Sequence, residues 1–135
     1  MAGYSKRSLV EKLGIKPGAN IIILHAPDEY DKTLGELPGD VFVASSLGST
    51  LDFIQFFTTE CEALAANFPA LKQALMHDGQ LWISWPKKSA KVPTDLDENV
   101  IRDIGLQNGL VDVKVIAVDE VWSGLKFVYR VKDRN

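Results

Sequence analysis

Ile21, Ile22, Ile23 and Leu24 follow one another with no polar residue between them, in a run over residues 19–25 that ends at His25. A strand with one wet face alternates apolar and polar side chains, whereas an unalternating, β-branched run suits a strand covered on both faces. This run is expected to be central in a sheet with helices above and below it. Leu81, Trp82, Ile83, Ser84 and Trp85 form a second apolar strand, which stops abruptly at Pro86, Lys87 and Lys88. Alternation sends Trp82 and Ser84 to one face and Leu81, Ile83 and Trp85 to the other, so both indoles face covering helices. Residues 51–57 are a third apolar run, whose type stays open because helix and strand look alike over so short a length.

Between these runs the apolar spacing is helical. Leu9, Val10 and Leu13 share one face of a helix over residues 5–13 that stops at Gly14, a residue at ease in the left-handed conformation. Over residues 58–75, Leu64, Phe68, Leu71 and Leu75 make one helical stripe. Pro69 lacks an N–H and is expected to kink or divide that helix near Asn67 and Phe68, with His77, Asp78 and Gly79 ending it. Asp95 stands three residues before Glu98, a capping-box spacing that predicts a helix with Val100, Ile101 and Ile104 inward and Gly109 as its stop. A strand is expected over residues 40–45. Two more, over 111–118 and 125–131, lie close enough to pair as an antiparallel hairpin. Strands alternating with helices predict a single α/β domain over residues 1–135. It would be a three-layer Rossmann-like fold, its core over residues 19–132 a mostly parallel sheet of about six strands with a C-terminal antiparallel hairpin.

Composition removes several classes of function. At 135 residues the chain can bury roughly two thirds of its unfolded surface, enough for a core without metal or disulfide. A formal net charge of -3 and a pI near 5.3 argue against a binder of phosphate backbones, so nucleic acid is not an expected partner. No apolar run approaches the roughly 20 residues that span a bilayer, and the first residues lead into an amphipathic stretch. No membrane contact and a cytoplasmic location are expected. Cys61, the single cysteine, lies in a helical pattern and reads as a small buried apolar side chain. His25 and His77 have no second ligand at metal spacing, so no metal is expected. Ser45, Ser46 and Ser84 lack the context of a nucleophile elbow. No catalytic residue and no cofactor is assigned.

Ligands of open α/β sheets bind at the carboxyl ends of the strands. Right-handed crossovers would place those ends on one edge, gathering His25, Ala26 and Pro27, Thr58 and Thr59, Pro86 to Lys88 and the hairpin residues 119–124. Lys87, Lys88 and Lys91 are the densest local positive charge, and a helix starting near Asp95 would add backbone N–H groups and its dipole. That combination suits a small anionic ligand, although a solvated loop has the same composition. Asp95 reads as a helix cap or a site residue. Trp85 reads as core or as pocket wall, and Trp122 either packs back over the sheet edge or projects as a contact anchor. His25 reads as structural or as an acid or base. Arg102 and Asp103 read as a surface ion pair. The candidate ligand-binding set is Lys87, Lys88, Trp85, Asp119, Trp122 and His25.

The order of elements resembles a reduced class I methyltransferase, and residues 68–82 resemble the segment where such enzymes have a helix, a turn and the following strand. Trp82-Ile83-Ser84-Trp85-Pro86-Lys87-Lys88, Thr94-Asp95-Leu96, Gly109-Leu110-Val111-Asp112-Val113-Lys114 and residues 117–126 resemble a bacterial family known as domain of unknown function 3052. That resemblance implies a methyltransferase-like fold and carries no activity. Methyltransferases hold S-adenosylmethionine on a glycine-rich turn after the first strand, with an acid at the end of the second. Here His25-Ala26-Pro27-Asp28 and Ser45-Ser46 stand at those places. The leading expectation is a non-catalytic methyltransferase-like domain binding a small anionic ligand or a protein partner at the carboxyl edge. The alternatives are a transferase with unconventional cofactor binding, using Lys87 and Asp119, and a structural subunit, homo-oligomeric or otherwise, with the hairpin as interface.

Overall fold

The structure is a computed structural model and describes residues 7–48 and 50–134. Helix α1 (Leu9–Leu13) begins where Ser8 and Glu11 satisfy each other's backbone N–H groups, at 3.2 and 2.9 Å, and Gly14 closes it at a φ of 80°. This reciprocal cap sets the start later than the expected residue 5; residues 5 and 6 lie outside the described residues. The chain continues through β1 (Asn20–Leu24), α2 (Tyr30–Leu34), β2 (Phe42–Val43), β3 (Leu51–Phe57), α3 (Cys61–Ala74), β4 (Leu75–Pro86), α4 (Glu98–Gln107), β5 (Leu110–Ala117) and β6 (Trp122–Tyr129).

The six strands form one sheet in the order β2-β1-β3-β4-β6-β5. The first four run parallel, and β6 and β5 close the sheet antiparallel. The undecided run over residues 51–57 is therefore a strand, and with β4 it occupies the middle of the sheet. β1 sits between β2 and β3, and its apolar run is covered on both faces, Ile22 in one core and Ile21 in the other. β2 pairs over only two residues, fewer than the six expected, and Asp40 before it adopts a left-handed φ of 62° that turns the chain out of extended geometry.

Two cores line the two faces of the sheet. Leu81, Ile83 and Trp85 join α3 and α4 through Leu64, Phe68, Leu71 and Ile101. Trp82 joins α1 and α2 through Leu13, Tyr30 and Leu34 on the other. The separation of the two tryptophans follows the predicted alternation. Each fully buried aliphatic or aromatic side chain contributes about 1.5–3 kcal/mol, so these strands dominate the stability of the domain.

Three local expectations are corrected. Pro69 lies inside α3 without dividing it; Leu64, Phe68 and Leu71, each fully buried around it, hold the helix on the sheet through the missing hydrogen bond. His77, Asp78 and Gly79 do not end the helix, which closes at Ala74, but belong to β4, where residues 75–80 bulge opposite 51–53. Gly79 is required there because a Cβ would stand 2.9 Å from the Asp52 carbonyl oxygen. Asp97, not Asp95, caps α4, its Oδ1 accepting from Val100 N at 2.8 Å.

Helix α4 meets β6 at a second close approach, where a Cβ on Gly105 would stand 2.0 Å from Cε1 of Phe127. At an ordinary helix position alanine is favoured over glycine by about 1 kcal/mol. Gly105→Ala is expected to reverse that sign and lower the free energy of unfolding by about 1–3 kcal/mol. Urea titration measures it, and a neutral or stabilised variant would show that α4 is free to lift off the ring.

Candidate functional site

The parallel strands β1, β3 and β4 end on one edge, and the antiparallel register of β6 brings the hairpin turn to the same edge, with Trp122 opposite Pro86. Lys87 N donates to the Val121 carbonyl at 2.7 Å, and Thr58 N to the Ser84 carbonyl at 3.0 Å. The sheet order reverses at β1, so the space beyond β1 and β3 is the topological switch point where ligands of such sheets bind.

The six expected site residues reach this edge and then divide. His25, exposed and at a φ of 60°, rests its ring 5.1 Å from Phe56, and Trp85 is buried in the same core layer as Phe56, with α3 and α4. Trp122 lies on the opposite face, edge-on to Phe57 at 5.1 Å, packed back over the edge and not projecting from it. Trp122 also begins β6 and does not stand in the turn. Asp119 ties the hairpin, its Oδ1 accepting from the N–H groups of Val121 and Trp122, each at 2.8 Å. Lys87 is half-buried, and Lys88 and Lys91 are exposed.

The helix N-termini on this edge carry carboxylates of the chain itself. Asp95 Oδ1 accepts from Cys61 N at 2.7 Å, at the first turn of α3, and Thr94 Oγ1 donates to the Thr59 carbonyl at 2.6 Å. Asp95 is thus a cap, but for α3 and from 34 residues away. Glu98 serves in no capping box and pairs with Arg102, whose guanidinium also meets Asp112 at 2.8 Å. That pairing replaces the expected one with Asp103. One N–H at each of these helix starts, Cys61 N and Val100 N, is therefore taken by a carboxylate of the chain, Asp95 and Asp97.

A pocket of about 510 Å³ opens at the carboxyl ends of β1 and β2, and none of the six expected residues lines it. Its apolar wall includes Ile23, Ala26, Leu34, Leu37 and Val43, and the exposed carboxylates Asp28, Glu29 and Asp31 surround the mouth. The turn beneath it contains no glycine from residue 24 to 29; His25 and Glu29 instead take φ values of 60° and 62° with side chains in place. Pro27 brings no N–H, and its carbonyl accepts from Tyr30 N at 3.1 Å.

Tyr30 also anchors a buried polar chain that the pattern of the sequence did not reveal. Its hydroxyl donates to Gln55 Oε1 at 2.8 Å, and Gln55 Nε2 donates to Ser84 Oγ at 3.1 Å. Gln55 and Ser84 are fully buried. A glutamine inside an otherwise apolar strand was the available signal, since a buried amide demands partners. Burial pushes the Tyr30 phenol well above its ordinary 10.0, against the weaker pull of the Gln55 hydrogen bond and with a small push from Asp119.

No family model matches the chain, and no curated protein matches it by sequence. Solved structures do. A SAM-dependent methyltransferase from Aquifex aeolicus aligns over 88% of this chain and 86% of its own, with a TM-score of 0.63 at 16% identity. Magnesium protoporphyrin IX methyltransferase from Synechocystis PCC 6803, with bound SAM, aligns over 90% and 74%, with a TM-score of 0.58 at 14% identity. A TehB-like SAM-dependent methyltransferase from Corynebacterium glutamicum aligns over 90% and 85%, with a TM-score of 0.55 at 11% identity. These likenesses establish a Rossmann-like, methyltransferase-like α/β fold. Among the described residues no helix is long and apolar enough to cross a membrane.

Because the folded Tyr30 phenol ionises above its unfolded value, its contribution to stability is whole below pH 10.0 and is lost as the pH climbs beyond it. Tyr30→Phe should make the fall in urea midpoint above pH 10.0 shallower than in the parent chain, with a residual slope from Tyr129, which burial shifts the same way. Asp95→Ala should cost about 0.5–2 kcal/mol in the same titration at neutral pH, as loss of a helix cap does.

Proposed function

We propose that this chain is a cytoplasmic, methyltransferase-like domain, of the bacterial family it resembles, that transfers no methyl group and binds a ligand or partner at its carboxyl edge. The observation that carries this reading is the turn after β1. Methyltransferases need small residues there so that backbone can approach S-adenosylmethionine. In its place stand Pro27, without an N–H, and two left-handed residues with full side chains, His25 and Glu29. The usual cofactor pose does not fit these residues.

The chemistry of the pocket narrows what it takes. An anion entering between Asp28, Glu29 and Asp31 meets repulsion, while an apolar group that is neutral or positively charged meets a matched wall and mouth. An anion beside Lys87 and Lys88 has lysine charge to meet, but it would share the nearby helix starts with the capping carboxylates of Asp95 and Asp97. The hairpin as an oligomer interface loses its anchor, because Trp122 turns inward. One observation favours the transferase alternative. The structural neighbours include S-adenosylmethionine-dependent methyltransferases, and the acidic mouth is compatible with a cationic ligand.

Equilibrium dialysis separates the two. S-adenosylmethionine offered in the millimolar range is expected to show no saturable uptake. Saturable uptake that Asp28→Asn weakens would place the cofactor in this pocket and replace the proposal with the transferase reading.

A further inference from the structure

Trp82, Lys126 and Lys114 form one row across β4, β6 and β5, since Trp82 is in register with Lys126 and Lys126 with Lys114. Residues in such a row project from one face of the sheet, here the face that carries α1. The indole at the inner end is buried, its Nε1 donating to the Leu13 carbonyl at 3.0 Å. The two lysines stand directly opposite each other, a placement in which like charges repel. Lys12 closes the group from α1, its Nζ 3.3 Å from the Ala117 carbonyl, and Lys114 Nζ reaches the Lys12 carbonyl at 3.5 Å.

Lys16 follows in the turn after α1. Burial first, then the charges of Lys114 and Lys16, pull the Lys126 ammonium below the ordinary lysine value. Ion pairs among the described residues join Lys32 to Glu29, Arg102 to Glu98 and Asp112, and Arg130 to Asp133, and none offsets these four lysines. Lys12 and Lys114 meet carbonyl oxygens; the ammoniums of Lys16 and Lys126 make no hydrogen bond to the protein among the described residues. A chain of net charge -3 has gathered four lysines on this flank with no ion pair to a carboxylate among the described residues.

We propose that Lys12, Lys16, Lys114 and Lys126 form a binding site for the polyphosphate group of a small molecule. Ammonium groups act as point charges toward phosphate oxygens, and donors arriving from a helix, a turn and two strands surround a multiply charged anion instead of gripping a planar one. The site is on the flank of α1, away from the pocket at the carboxyl edge. Lys16 also lines a pocket of about 300 Å³ with Ile15, Phe53 and Gln80, which gives the remainder of such a molecule a place to lie. Asp52 and Asp78 on the same pocket orient it, keeping the phosphates at the lysine end.

Calorimetric titration with pyrophosphate at low salt tests the site. Saturable binding is expected, about tenfold weaker in Lys126→Met, and unchanged in Lys72→Ala, on α3 at the opposite face of the sheet. Removing the charge that Lys114 and Lys16 repel should leave Lys126→Met folded and at least as heat-stable as the parent chain without ligand, while abolishing most of the rise in melting temperature that pyrophosphate gives the parent. Absence of saturable binding, equal binding by Lys126→Met, or attachment to phosphatidylglycerol vesicles without any response to pyrophosphate would each overturn the proposal.

Discussion

Burial of β4 on both faces is the constraint from which the rest of the architecture follows. The strand lies between a parallel neighbour, β3, and an antiparallel one, β6, so its backbone groups are satisfied within the sheet and its side chains must be covered from both sides. Leu81, Ile83 and Trp85 call for α3 and α4, and Trp82 calls for α1. The indole also fixes that helix chemically. Trp82 Nε1 takes the Leu13 carbonyl, Gln80 Nε2 the Gly14 carbonyl at 2.9 Å, and Lys114 Nζ the Lys12 carbonyl. Three successive carbonyls at a helix end, which the helix itself leaves unpaired, are thus met by the sheet. A five-residue helix is too short to be stable alone, and these donors together with Leu13 in the core keep it in place.

Satisfaction within the chain also shapes the carboxyl edge. Asp119 holds its own turn, Asp95 and Asp97 hold two helix starts, and Tyr30, Gln55 and Ser84 close on one another. Polar groups at that edge are thus engaged within the protein. What stays open at that edge is a pocket with apolar walls and an acidic mouth. Positive charge sits elsewhere, in the exposed loop at Lys88 and Lys91 and in the row beside α1. The two proposed surfaces are opposite in electrostatic character and suit different chemistries.

Much of the fold was legible because its causes are local. The unalternating run at Ile21–Ile23 and the alternation from Leu81 to Trp85 state directly how many faces are covered, and Gly14 marks a helix end by its own backbone freedom. Less was legible where a residue's role depends on a distant partner. Asp95 looked like the start of the helix nearest in sequence but caps α3 across the loop. His77, Asp78 and Gly79 resembled a helix stop because glycine commonly marks one; only the approach of the Asp52 carbonyl explains that glycine. The lysine group is invisible to any local reading, since Lys12, Lys16, Lys114 and Lys126 are scattered over more than a hundred residues and are brought to one flank by strand register and by the packing of α1 against β5.

The sequence by itself determined the layers, because hydrophobic periodicity records which faces lose water and depends on neighbours two to four residues away. It also determined that the carboxyl edge would hold Lys87, Trp122 and His25. The tertiary structure decided on which side of the sheet each of these falls, which carboxylate caps which helix, and where charge is left without a partner. Those are pairwise matters of a few ångströms between residues far apart along the chain, and register and packing, not composition, set them.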